Sequence, residues 1–297
     1  MTWSTEDIGD LTGRRVLVTG ATSGIGTETA RELLRHGADV TITARDDRKA
    51  AATVADLGGD VEVVTLDLAD VPGTIAAAQG LVDAGERFDV LVNNAGVMVP
   101  PYTQTMDGFE LQIATNHLGH FAWTATLWPL LREGATRVVT VSSLAHASTK
   151  GIDLRSLEPN GDPRRYSRWR SYAESKLANL LFMKELDRRV KAVGLGLVSV
   201  GAHPGLTSTN LTKTTGSAMH HLAGAFSQSS RAGAWPSLRA ATDPTFTGGE
   251  YVGPARLRQT RGRPKTVGMT SAARDPRLAA EVWAASESAT GVVFEVA

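Results

Sequence analysis

The chain contains no cysteine. Disulfides, thiolate metal sites and cysteine nucleophiles are therefore excluded from its chemistry. It has no excess charge of either sign, because 31 basic side chains balance 31 acidic ones. That balance leaves no electrostatic footprint for nucleic acid or an acidic membrane surface. No apolar run approaches the about 18–20 residues that a membrane span needs. There is no fixed-period repeat and no low-complexity tract. Residues 1–10 are polar and acidic, unlike a secretory signal. The default expectation is a cytoplasmic globular enzyme with a small-molecule substrate, no nucleic-acid partner and no membrane partner. With 297 residues the chain can bury a substantial core without staples.

Short apolar runs alternate with longer helical patterns. Residues 14–19, 39–44, 61–66, 90–92, 137–141 and 195–200 read as strands. Between them, residues 22–36, 46–57, 73–84, 109–131 and 172–193 carry helical periodicity. In the first helix the apolar stripe is Ile25, Ala30, Leu33 and Leu34, and Gly37 stops it. Continuous apolar strands alternating with helices specify an α/β fold, a doubly wound parallel sheet covered on both faces. After His203 the pattern loosens. Residues 207–236 are rich in Ser, Thr, Gly and His, and residues 247–266 in Gly, Pro and Arg. A last helix is expected over 278–288. The looser part has no alternation of its own, so 1–297 reads as one domain.

Thr19–Gly20–Ala21–Thr22–Ser23–Gly24–Ile25–Gly26 joins the first strand to the first helix. Such a turn aims free backbone N–H groups and the positive end of a helix dipole at an anion. Gly20 allows the tight turn, Gly24 the approach of a pyrophosphate and Gly26 the packing of helix on strand. The second strand ends at Arg45, where an acid would bind the ribose of NAD. A guanidinium there suits the 2′-phosphate of NADP instead. Asp46 and Asp47 follow at once and also lie within reach of a ribose.

Tyr172 and Lys176 form Tyr-x3-Lys, which places both on one helix face. A free phenol has a pKa of about 10. A cation one turn away favours the phenolate and lowers that value. A tyrosine packed on a lysine stem would give the same spacing. Ser142 and Ser143 end the fifth strand, and Asn93, Asn94, Ala95 and Gly96 end the fourth. Ligands bind at the carboxyl ends of strands in such sheets. Serine and asparagine are also ordinary turn formers there.

In order along the chain stand TGATSGIG, NNAG, Asn116, VSS, Tyr-x3-Lys and His203–Pro204–Gly205. This set resembles the short-chain dehydrogenase/reductase family. The wording around Asn116–Phe121, Val141–His146 and Ser175–Asn179 is closest to its retinol dehydrogenase-like and WW-domain oxidoreductase-like branch, here without a WW domain. The resemblance covers residues 12–210 strongly and continues weakly through 241–244 and 248–251. It implies a single Rossmann-type domain: a dinucleotide-binding and catalytic core over 12–206, a substrate lid over 207–246 and a C-terminal extension over 247–297. It implies an oxidoreductase that interconverts an alcohol and its ketone or aldehyde, with NADP(H) preferred and NAD(H) possible as cofactor. Homodimers or homotetramers are common in the family.

The resemblance also implies roles. Tyr172 is the general acid and base, and Ser143 orients the carbonyl. Lys176 lowers the tyrosine pKa and binds the nicotinamide ribose. Asn116 holds a water that links Lys176 to solvent. Thr22, Ser23 and Ile25 belong with the three glycines to the phosphate turn. Asp67, with Leu68, contacts the adenine, while Asn93, Ala95 and Gly96 line the adenosine side. Pro204, Gly205, Thr207 and Thr209 hold the carboxamide and pyrophosphate.

Two features depart from the family at large. Tyr172 follows Ser143 by 29 positions, a long gap that the named branch shares, and Thr207 stands where Ile or Val is usual. The insertion in that gap carries Arg164, Arg165, Arg168 and Arg170 around Trp169. It reads as a solvated loop, or as a site for a substrate carboxylate or phosphate. His117, His120 and His146 read as packing and hydrogen-bonding residues. His220 and His221 have no third ligand nearby, so no metal site is expected. Two other readings remain: a redox-sensing regulator that binds NADP without turnover, and a C=C reductase of the same fold. The retained Tyr172 and Lys176 count against the first, and their spacing counts against the second.

Overall fold

The structure is a computed structural model and describes residues 3–132, 136–161, 165–207 and 228–296. The chain alternates β1 (Arg15–Val18), α1 (Gly24–Arg35), β2 (Asp39–Ala44), α2 (Asp47–Leu57), β3 (Val61–Thr65), α3 (Val71–Asp83) and β4 (Val90–Asn93). A broken helical stretch follows: α4 (Leu111–Ile113), a π-helical turn (Ala114–Leu118), α5 (Gly119–Thr126) and α6 (Trp128–Leu131). Next come β5 (Arg137–Val141), α7 (Arg168–Ala192), β6 (Val198–Ala202), α8 (Ser230–Thr242), β7 (Tyr251–Arg256), β8 (Arg261–Thr266) and α9 (Pro276–Thr290).

The sheet order is β3-β2-β1-β4-β5-β6-β7-β8. Strands β1 to β7 pair in parallel, and β8 closes the edge antiparallel to β7. This is the Rossmann-type doubly wound sheet expected from the sequence. The order reverses between β1 and β4, which opens a crevice at their carboxyl ends. Alternation along each strand feeds two cores. Val16 and Val18 face Ala30 and Leu33 of α1 and Leu238 of α8. Leu17 faces the other side, with Leu91, Phe121, Phe182, Trp283 and Phe294. Among the described residues no helix is long and apolar enough to cross a membrane.

Several boundaries differ from the sequence reading. Helix α1 begins at Gly24, because Thr22 and Ser23 stay in the turn. The single helix expected over 109–131 is interrupted by the π-turn and again before Pro129, which sits in the first turn of α6. Helix α7 starts at Arg168 and not at Tyr172, since its first turn is charged and shows no apolar period. Strand β6 starts later than expected: Leu195 N bonds back to Val190 O while the chain is still closing α7. Residues 230–242, inside the stretch read as a lid, form α8 of the core layer, with Gly233, Ala234 and Leu238 buried. Strands β7 and β8 were not foreseen, because Gly253, Pro254, Gly262 and Pro264 read as breakers. The two prolines face each other across the hairpin at the sheet edge, where a missing amide is tolerated.

Phe294 packs on Trp283 at 4.8 Å and Trp128 at 5.2 Å between ring centroids, so the segment after α9 closes the core over Phe121 and Phe182. Phe294→Ala is expected to destabilise the fold by about 3–5 kcal/mol. Denaturant unfolding checks this, and a loss under about 1 kcal/mol would contradict the packing role.

Candidate active site

A cleft of about 750 Å³ runs across the carboxyl ends of the strands, a volume suited to a small-molecule ligand. Its floor is the glycine turn. Gly20, Thr22, Ser23, Gly24, Ile25 and Gly26 all line it. A Cβ on Gly26 would lie 2.5 Å from Gly20 O and 2.6 Å from Asn94 Nδ2, so only glycine lets the helix sit against the strand end. Helices α2, α3, α8 and α9 have side-chain N-caps in Asp46, Asp70, Ser229 and Asp275. Ser23 caps no amide of α1. The first amides of α1 thus face the cleft without a side-chain acceptor, which fits a phosphate group.

Arg45 stands exposed on the rim at the end of β2. Asp46 is engaged as the N-cap of α2, accepting Lys49 N at 3.0 Å. Asp67 and Leu68 line the cleft beyond β3, and Ala95 and Gly96 beyond β4. Asn93 does not line it. Its side chain is buried and donates to Thr124 Oγ1 at 2.9 Å, so the sequence assignment is corrected. The alternation of the strand turns Asn93 towards α5. Asn94, one position on, lines the cleft and donates to Thr19 O at 2.8 Å. Pro204, Gly205 and Thr207 form the wall after β6. Thr209, together with His220 and His221, lies outside the described residues.

Ser143, Tyr172 and Lys176 line the same cleft. The Ser143 hydroxyl accepts Ala145 N at 3.2 Å, which leaves its proton for an acceptor in the cleft. His146 Nδ1 lies 2.7 Å from Ser143 O. A carbonyl only accepts, so that nitrogen carries the imidazole proton and steadies the serine backbone. Tyr172 is 7% exposed. Burial pushes its phenol above the usual tyrosine value, and hydrogen bonding with Ser143 draws it part of the way back.

Lys176 Nζ sits 6.0 Å from the Tyr172 ring centre and donates to Val141 O at 3.2 Å. Burial holds this ammonium down at about 8. The lowered phenol expected from the lysine is therefore not the state of the free site, where burial dominates. Near neutrality the lysine still keeps most of its charge.

Asn116 is fully buried in the π-turn. Its side chain bridges both Val97 backbone groups, at 2.8 and 3.0 Å, and reaches Ser175 Oγ at 2.9 Å. Gly96 sits over the gap beside it: a Cβ there would lie 3.0 Å from Asn116 Oδ1 and 3.3 Å from Lys176 Nζ. Asn116 O meets His120 Nδ1 at 3.1 Å. That nitrogen must donate, so Nε2 accepts from Thr19 Oγ1 at 2.9 Å. Thr19 Oγ1 in turn accepts Asn94 N at 2.9 Å and Ala95 N at 3.0 Å. His120 thus joins the Asn116 turn to the glycine turn. Burial holds its pKa down to about 3 and that of His117 to about 4, so both stay neutral. These histidines are hydrogen-bonding members of the core, as the sequence reading had them.

Sequence reasoning missed Trp169, half-exposed on the cleft wall with its ring 6.4 Å from that of Tyr172. It noticed only the arginines around this residue. Arg165 and Arg170 face a second cavity of about 390 Å³ on the far side of α7, and Arg170 is paired there with Glu174 at 2.7 Å. The spacing carried the signal: Trp169 lies one helical turn before Ala173 and three residues before Tyr172.

Residues 14–152 match the family described as short chain dehydrogenase. Retinol dehydrogenase 12 of Mus musculus is 36% identical over 293 residues, covering 95% of this chain and 88% of that protein. Retinol dehydrogenase 12 of Bos taurus is 42% identical over 209 residues, which is 68% of this chain and 64% of that protein, just under two thirds of its length. Among solved structures, an uncharacterized protein from Mycobacterium paratuberculosis superposes with a TM-score of 0.84 at 43% identity, covering 100% of both chains. The active-site complex of Pseudomonas aeruginosa RhlG with NADP superposes with a TM-score of 0.65 at 27% identity, covering 82% of this chain and 94% of that one. The chain belongs to the short-chain dehydrogenase family, on its retinol dehydrogenase-like side.

Proposed function

We propose that the protein is an NADP(H)-dependent oxidoreductase that interconverts an alcohol and its ketone or aldehyde, with Tyr172 as the proton donor and acceptor. One observation carries this reading: a buried phenol, the serine hydroxyl hydrogen-bonded to it and a buried ammonium line one cleft with an anion-ready glycine turn. A nicotinamide dinucleotide, when bound, supplies or takes the hydride. Gly20, Ser23, Gly24 and Gly26 would hold its phosphates, and Pro204, Gly205 and Thr207 its far end.

Ser143 donates to a carbonyl oxygen and fixes its position. Tyr172 delivers its proton to that oxygen as negative charge develops, and takes one back in the oxidative direction. The Lys176 ammonium favours the phenolate left behind. Asn116 positions the Val97 wall, and the second lone pair of its carbonyl is available to a water leading from Lys176 to solvent. NADP over NAD is supported by exposed Arg45, a phosphate-suited fork, and by the engagement of Asp46 in capping α2. The walls near Ser143 and Tyr172 carry Val97, Met98, Leu144, Trp169 and Leu206, while Arg165 and Arg170 face away. An uncharged carbonyl compound with an apolar body fits this lining, as do relatives named for retinol. A single domain over 1–297 belongs to the same proposal, with α8 (Ser230–Thr242) counted in the core layer and not in a lid.

Tyr172→Phe is expected to abolish turnover of a carbonyl panel while leaving NADPH affinity within a few-fold of wild type. Retained turnover would contradict the proton role. Arg45→Ala is expected to weaken NADPH far more than NADH in binding titrations, and equal losses would sink the cofactor preference. Lys176 gives a stability test. Its folded pKa of about 8 lies below its usual 10.5. Between those values the unfolded chain holds a proton that the folded chain has released, so stability rises with pH across that window. Below it, burial of the charge costs roughly 3 kcal/mol. Asn179 Nδ2 still serves Val141 O at 3.1 Å when the lysine is removed. Lys176→Met is therefore expected to raise Tm at neutral pH, with the gain shrinking as pH rises past 8, and to lose turnover. A Tm lowered at neutral pH would refute the buried-charge reading.

A further inference from the structure

The tip of the β7–β8 hairpin is built against the grain of its sequence. Leu257, Arg258 and Gln259 adopt left-handed backbone in succession, with φ of 48°, 53° and 66°. None is glycine, and side chains of this hand disfavour that conformation. Such strain persists only where surrounding contacts over-determine it, and it gathers at functional sites.

The contacts that hold the tip lead to one place. Gln259 Oε1 lies 3.0 Å from His203 Nε2, and His203 Nδ1 accepts Gly205 N at 3.2 Å. An amide oxygen only accepts, so His203 carries its proton on Nε2, and both bonds are satisfied by one neutral tautomer. Thr260 O accepts Leu206 N at 2.8 Å. The two segments touch at backbone level. A Cβ on Gly205 would overlap Thr260 O, and a Cβ on Gly253 would overlap the His203 ring. Gln228 adds a second tie: its amide lies 2.6 Å from Pro204 O and accepts Gly262 N at 3.3 Å. Pro204, Gly205, Leu206 and Thr207 are the wall of the cleft after β6.

We propose that Gln259 and His203 are positioning residues, and that the strained hairpin tip exists to clamp the Pro204–Thr207 wall in the register that a dinucleotide needs. The inference rests on the proposed function only in taking the cleft to bind a nicotinamide dinucleotide. Gln259 touches neither substrate nor cofactor and acts through His203 and Gly205. A wall of this kind is sensitive to small displacement, because hydrogen bonds to a ligand weaken steeply once distance and angle depart from their optimum.

Two glycine substitutions separate clamping from folding. Arg258→Gly relaxes the left-handed backbone and leaves the His203 bond intact. Gln259→Gly relaxes the backbone equally and removes the bond. Gln259→Glu keeps an acceptor for His203. Each variant is melted, then titrated with NADPH and assayed for KM and kcat well below its melting temperature. Arg258→Gly is expected to melt no lower than wild type and to bind NADPH equally well. Gln259→Gly is expected to melt no lower, yet to bind NADPH roughly ten-fold or more weakly, the scale of one hydrogen bond lost to the ligand, with KM for NADPH moving more than kcat. Gln259→Glu is expected to restore most of the affinity. If wild type binds NADPH and Gln259→Gly binds it equally well, the clamp is overturned and the proposed function stands. If wild type binds neither NADPH nor NADH, the proposed function fails and the clamp fails with it.

Discussion

A lysine ammonium and a tyrosine phenol share one buried face of α7, and low-dielectric surroundings oppose the charged form of each. Lys176 is 4% exposed and its pKa is held down to about 8; Tyr172 is pushed up. Both shifts have the same cause, burial, which disfavours charge whatever its sign. The molecule keeps these groups buried at a cost in stability, and their surroundings are arranged to make that tolerable. Val141 O accepts from both Lys176 and Asn179, Ser142 Oγ donates to Lys176 O at 2.7 Å, and Ser143 supports the phenol.

Around this pair the polar groups form chains rather than isolated contacts. Thr19, His120 and Asn116 join the glycine turn to the π-turn, and the two amides after β4 close the loop on Thr19. On the other side His203, Gln259 and Gln228 tie the wall after β6 to the sheet edge. The imidazoles in these chains are neutral because they are buried, with His203 held down to about 4. A neutral imidazole with a fixed tautomer is a rigid two-ended connector. The floor of the cleft is thus locked to the π-turn beside Lys176, and its far wall to the sheet edge, through side chains.

The parallel sheet was legible in the sequence because apolar alternation reports burial directly. The glycine turn, Ser143, Tyr172 and Lys176 were legible because their spacing and their place at strand ends constrain what they can face. Asn93 was misread by one position, and with a side-chain period of two that error turns the residue to the opposite face of the sheet. The β7–β8 hairpin was invisible for a related reason. Gly253 and Gly262 are where the hairpin meets other atoms closely, and prolines at a sheet edge look like breaks in a sequence. The π-turn at Asn116 leaves no periodic mark because one extra residue in a helical turn only blurs the pattern. The opposed directions of Trp169 and Arg170 depend on where α7 begins, and a charged first turn hid that boundary.

On the proposed function, burial keeps the Tyr172 phenol protonated in the free protein, and the positive nicotinamide of an oxidised dinucleotide, together with the Lys176 ammonium, favours its release. Ultraviolet difference titration of wild type against Tyr172→Phe, with and without NADP⁺, reads this phenol alone. The expected result is a Tyr172 titration above the ordinary tyrosine value in the free protein that moves down when NADP⁺ is bound. A titration at or below the ordinary value in the free protein, or one that NADP⁺ leaves in place, would contradict it.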